Sequence, residues 1–114
     1  SGGRIARAGR SLAKLAPDDG DLLIEADVGT EAGAVLAVAE ATAKFGAPPG
    51  AVVNAAGAIL LASITRTSEA QYRDCLAANL DTAFFTAKAY VNALAQAQKE
   101  GGSGAGRLLL FSSV

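Results

Sequence analysis

Several positions in this chain put a polar or very small residue where an apolar segment ends. Arg10 and Ser11 follow "RIARAG", Asp27 follows "LLIEA", "NAAG" (Asn54 to Gly57) follows "AVV", and Ser112 and Ser113 follow "LLLF". A carboxylate at 27 can accept a hydrogen bond from a ligand amine, such as the exocyclic group of adenine, or can satisfy backbone donors in its own turn. Ala55, Ala56 and Gly57 carry so little side chain that a ribose or nicotinamide could approach the main chain closely. The same smallness would also serve a tight helix–sheet contact. Ser112 and Ser113 can hold a substrate oxygen or cap a following helix. Asn79 lies inside a long helical stretch, where an asparagine competes with its own backbone, so its amide is wanted elsewhere.

Other chemistries are excluded by composition. The chain has no histidine and one cysteine, Cys75. A histidine-dependent triad and a zinc site are therefore set aside, and an internal disulfide is impossible. Single-cysteine usage points to a reducing compartment, and the sequence reads as soluble and cytoplasmic. A net charge of −1 with scattered Lys and Arg argues against nucleic acid or an anionic membrane as partner. With 51% apolar residues but only 5% aromatic, the core must be built from small side chains. Length fits one domain, residues 1–114.

The elements that must position these residues alternate. "RIARAG" fits a short strand or a frayed helix end, and Ser11 can cap a helix over "SLAKLA". "LLIEADV" reads as a strand. The helix after it has Thr30 as its cap, Lys44 in its last turn and Gly46 as its stop, with Val35, Leu36, Val38, Ala39 and Ala43 as the expected apolar face. "AVVNA" is the next strand. A helix beginning at Thr67 or Ser68 runs on to Glu100 with a bend near Asn79, and "RLLLFSSV" closes as a strand. Strands that read as apolar runs between helices predict an α/β, doubly wound parallel sheet. In such sheets ligands bind beyond the carboxyl ends of the strands.

Taken together, "GRS", "ADV", "VVNAAG", the stretch "TSEAQYRDCLAANLDTAFFTAKA" and "GRLLLFSSV" resemble the central part of the short-chain dehydrogenase/reductase family. "VVNAAG" is similar to that family's N-N-A-G motif, with Ala55 in place of the second asparagine. The resemblance implies a Rossmann-like dinucleotide-binding domain and places Asp27 and Val28 at the adenine. Asn54, Ala55, Ala56 and Gly57 would line the cofactor. Ser113 would act on the substrate oxygen, and Asn79, through its backbone, in a proton relay. Arg10 and Ser11, at the end of the family's second strand, imply NADP(H) in preference to NAD(H).

Two family features are not found in these 114 residues: the first strand with its glycine-rich turn, and the catalytic Tyr-x-x-x-Lys. Tyr72 is followed four residues later by Leu76 and Tyr90 by Leu94, so both tyrosines are read as packing or surface residues. The fold is therefore expected to be incomplete. In the family's strand order 3-2-1-4-5, the pair "RIARA"/"LLIEA" would lose contact with the pair "AVVNA"/"RLLLF". The implied activity is hydride transfer between NADP(H) or NAD(H) and a carbonyl or alcohol substrate, from a truncated chain that is itself inactive. The alternative is a short non-catalytic paralogue that binds a nucleotide or a partner. The family also implies homo-oligomers formed through the long helix after Asn79.

Overall fold

The computed structural model describes residues 4–11 and 21–111. The helix expected over "SLAKLA" and the pair Ser112 and Ser113 lie outside the described residues. Strand β1 is Ala6–Gly9, which settles the ambiguous opening segment as extended chain. Next come β2 (Leu22–Glu25), helix α1 (Glu31–Phe45) and β3 (Ala51–Asn54). Helix α2 (Glu69–Leu76) leads through a π-helical segment (Ala77–Asp81) into α3 (Thr82–Lys99), and β4 is Arg107–Leu110.

The strands form two separate parallel pairs. β1 lies beside β2, with Ala6 opposite Leu22, and β3 lies beside β4, with Ala51 opposite Arg107. No ladder joins the pairs among the described residues. This is the separation of the two pairs that the sequence leads one to expect. Both ladders carry on past their last assigned residues: the Ala26 N–H donates to the Gly9 carbonyl at 2.9 Å and the Phe111 N–H to the Asn54 carbonyl at 3.4 Å.

Helix α1 begins and ends as its sequence dictates. The Thr30 hydroxyl oxygen accepts from the Gly33 N–H at 3.0 Å, and Gly46 takes a left-handed conformation, φ 82°, while its N–H donates to the Thr42 carbonyl. The face it buries is not the expected one. Ala34, Ala37 and Ala41 are buried, whereas Val35 and Leu36 are 50% and 44% exposed. The cause is closeness of approach. A Cβ on Gly33 would collide with the Asp27 carbonyl, so the helix lies almost on the backbone after β2, and only methyl-sized side chains fit between. Ala37 and Ala41 there meet Ile24 and Ala26, with Ala6, Leu22, Val28 and Phe45 around them.

Helix α3 lies against α1 and also against β3, so the helical layer holds the two strand pairs together. Lys88 pairs with Glu31 across the two helices. Tyr90 is 1% exposed and donates its hydroxyl to the Pro49 carbonyl, tying α3 to the segment that enters β3. Gly106, just before β4, sits against the same phenol and leaves no room for a side chain. Tyr90 is thus a packing residue and Tyr72, 53% exposed, a surface one, as read from the sequence. On the β3–β4 pair, Val53 and Leu109 stand opposite each other and are 57% and 53% exposed.

Candidate active site at the strand ends

The carboxyl ends of β2 and β3 meet at the π segment. After β2, Asp27 makes a tight turn: its Oδ1 accepts from the Gly29 N–H at 2.9 Å and its carbonyl from the Thr30 hydroxyl at 2.8 Å. Asp27 is exposed and Val28 half-buried. One carboxylate oxygen is thus engaged by the turn, and a carboxylate can accept with both. After β3, Asn54 is buried, and its Oδ1 accepts from the Ala56 N–H at 3.0 Å, turning the chain away from the sheet. Ala55, Ala56 and Gly57 follow on the surface, with their backbone accessible.

Asn79 lies in the middle of the π segment, where the Thr82 N–H donates five residues back to the Ala77 carbonyl. That bond widens the helix here, and such π-bulges are common at functional positions. Its Oδ1 accepts from the Ala58 N–H at 3.1 Å and its Nδ2 donates to the Ala58 carbonyl at 3.0 Å. The same nitrogen donates to the Cys75 carbonyl at 2.9 Å and approaches its sulfur at 3.5 Å. A Cβ on Gly57 would come within 2.9 Å of the Asn79 Oδ1, so glycine here makes room for the amide. On the other side, a Cβ on Gly29 would lie 3.5 Å from the Ala77 carbonyl oxygen. One short stretch of helix therefore touches both strand ends.

Arg10 follows β1 as an exposed residue, with Ser11 half-buried beside it in sequence. The continuation of the ladder from Gly9 to Ala26 puts Arg10 and Asp27 at the same end of their strand pair. Phe111 continues β4 alongside Asn54 at the carboxyl end of β3. Next to the Asn79 amide is a small cleft of about 200 Å³ lined by Ala58, Ile59, Leu60, Gln71, Asp74 and Cys75. That is below the roughly 300–1,000 Å³ of pockets that enclose a ligand. Beyond it, Ile59, Leu61 and Ile64 are 87–91% exposed.

The Asn79 amide, read from the sequence as wanted elsewhere, is engaged by Ala58, a partner the sequence did not reveal because it contributes only backbone. Among the described residues no cluster of His, Cys, Asp and Glu could hold a metal ion. None of the described helices is long and apolar enough to cross a membrane.

Comparison with known proteins adds a common pattern. The family model described as enoyl-(acyl carrier protein) reductase matches residues 4–114. A short chain dehydrogenase from Mycobacterium avium is 25% identical and superposes with a TM-score of 0.76, over 83% of this chain and 34% of its own. A short-chain dehydrogenase from Streptomyces avermitilis is 22% identical, TM-score 0.76, over 98% of this chain and 41% of its own. The NADH-dependent reductase A1-R', solved in complex with NAD, has the same fold at 16% identity, TM-score 0.77, over 99% of this chain and 50% of its own. The chain thus spans between a third and a half of the length of these structures. No curated protein matches the sequence.

Proposed function

The chain belongs to the short-chain dehydrogenase/reductase family, and from that premise we propose that it forms the cofactor-facing middle of an oxidoreductase acting between a nicotinamide cofactor and a carbonyl or alcohol. The observation that carries the reading is the convergence of the Asp27 turn and the Ala58 loop on the π segment that holds Asn79. A dinucleotide needs an extended surface of bare backbone with few polar anchors, and the exposed run Ala55, Ala56 and Gly57 fits that need. A bound nicotinamide would supply or accept the hydride. In this reading Asp27, beside Val28, accepts from the adenine amine with its remaining oxygen. Arg10, next to Ser11, pairs with the 2′-phosphate of NADP(H) in preference to NAD(H). Asn54 anchors the start of the bare-backbone run.

Asn79 and Ser113 serve the reacting end. The Asn79 side chain is fully engaged with Ala58 and Cys75, which leaves its backbone for a water of the proton path. Ser113 steadies the oxygen on which charge develops. Neither tyrosine in these 114 residues has a lysine four positions on, so the general acid–base pair is not supplied by this stretch, and turnover by it alone is not expected. Leu80, Phe84 and Val91 are 58–59% exposed along the π segment and α3, which supports a homo-oligomer formed through that helix. The compartment is read as the cytoplasm from the single cysteine.

Titrating the chain with NADPH, followed by the fluorescence of the reduced nicotinamide, tests the proposal. Enhanced emission without consumption of a carbonyl substrate is the expected result. Failure to bind either reduced cofactor would contradict the site. Binding that stays without turnover even when the flanking reading frame is expressed would favour the non-catalytic binding module.

A further inference from the structure

We propose that Gly29 and Thr82 are positioning residues that seat the π segment against the turn after β2, and through it fix where Asn79 holds Ala58. The residues lie on different elements and neither belongs to the strand-end motifs. Gly29 does not need glycine for its backbone angles, since its φ lies outside the left-handed range in which, among the described residues, only Gly46 and Gly101 are found. It needs glycine for space. A Cβ there would stand 3.0 Å from the Asp27 Oδ1, 3.5 Å from the Ala77 carbonyl oxygen and 3.8 Å from the Thr82 Cγ2. A single methyl would crowd only the Asp27 carboxylate oxygen and meet Ala77 and Thr82 at ordinary contact distance, whereas the branches of a valine would reach into the π segment or the turn.

Thr82 closes the arrangement from the helix side. It is 6% exposed, its N–H donates to the Ala77 carbonyl, and its hydroxyl donates to the Ala78 carbonyl at 2.9 Å. The residue that contacts the Asp27 turn therefore also holds two of the carbonyls that define the wide turn. Close-packed interiors transmit such a displacement because there is no void to absorb it. A push at Gly29 moves Ala77 and Thr82, and Asn79, two residues from one and three from the other, moves with them. Its bonds to Ala58 then lengthen. In so far as Asp27 and Ala58 face opposite ends of one dinucleotide, an inference that rests on the oxidoreductase reading, the π segment fixes the spacing between those ends.

Cys75 provides a probe that needs no ligand. It is the chain's one thiol, half-buried, with the Asn79 Nδ2 3.5 Å from its sulfur. The test follows the rate at which a disulfide reagent modifies Cys75, together with the side-chain amide resonances of Asn79. Gly29→Val is expected to raise the rate by roughly threefold to tenfold, as loss of one or two neutral hydrogen bonds would, and to shift the Asn79 resonances. Thr82→Ser, which removes the Cγ2 methyl and keeps the hydroxyl, is expected to recover most of that change in the double variant. If Gly29→Val does not fold, Thr82→Ala, which removes the Cγ2 methyl and the hydroxyl bond to the Ala78 carbonyl, must raise the thiol rate and shift the Asn79 resonances instead, and a folded Thr82→Ala that does neither overturns the proposal. Folded Gly29 variants with unchanged thiol rate and unchanged Asn79 resonances would overturn the proposal. Adding NADPH separates the two readings. Cofactor binding with an unresponsive Gly29 series removes only the positioning role. A responsive series with no cofactor binding sustains that role and removes the oxidoreductase reading.

Discussion

The Asn79 side-chain amide and the Ala58 backbone form a two-bond clamp, at 3.1 and 3.0 Å, across 21 residues of chain. An asparagine presents a donor and an acceptor in one plane, the pattern offered by the N–H and C=O of a single residue. Alanine at 79 removes both bonds and the one to the Cys75 carbonyl, and should cost about 1.5–4.5 kcal/mol, since each of the three neutral bonds contributes a net of roughly 0.5–1.5. Asn79→Asp should be no better, because its carboxylate would face the Ala58 and Cys75 carbonyl oxygens where the amide donates. Urea denaturation of the three proteins checks this. Wild-type stability in Asn79→Asp would mean that the donor half of the clamp is dispensable.

Two glycines should behave in opposite ways. Gly33→Ala puts a methyl into the Asp27 carbonyl, where α1 lies on the turn, and should prevent native packing of α1. Gly46→Ala meets no atom and pays only for the left-handed backbone, about 1–2 kcal/mol. Circular dichroism melts of both variants suffice. A cooperative melt of Gly33→Ala near that of the wild type would place α1 farther from β2 than described.

Arg10 should set the cofactor preference. A charge-assisted pair with a phosphate is worth about 1.5–3 kcal/mol, so Arg10→Asp should lower the NADPH-to-NADH affinity ratio by roughly tenfold or more. Paired fluorescence titrations give the ratio directly. An unchanged ratio removes Arg10 from the site.

Phe84→Glu should shift the chain toward monomer in sedimentation velocity. Phe84 is 59% exposed, with Leu80 and Val91 near it in helical spacing, and a carboxylate in an apolar contact is strongly disfavoured. Identical sedimentation of wild type and variant would place any self-association elsewhere.

Legibility in the sequence followed locality. Thr30, Gly46 and the Ser68–Gln71 capping box act on their own neighbours, so the ends of α1 and the start of α2 could be read from residue types. The strand ends at Asp27 and Asn54 announced themselves as polar interruptions of apolar runs. The buried face of α1 did not. Val35 and Leu36 outweigh Ala37 and Ala41 in hydrophobicity, yet the helix approaches too closely for anything larger than alanine, and that distance is a tertiary property. The break at Asn79 was visible as a poor helix former, whereas its partner was not, because backbone leaves no trace in residue type. The room around Gly29 depends on Ala77 and Thr82, which meet it only in the fold.

Backbone-amide chemical shifts of the chain during titration with NADPH test the central claim most directly, namely that the β2 and β3 ends and the π segment form one dinucleotide surface. The account predicts perturbations concentrated at residues 27–29, 54–58 and 77–82, moving together with a single dissociation constant. Perturbations confined to one of those three stretches, or absent from all of them while NADPH binds elsewhere, would contradict it.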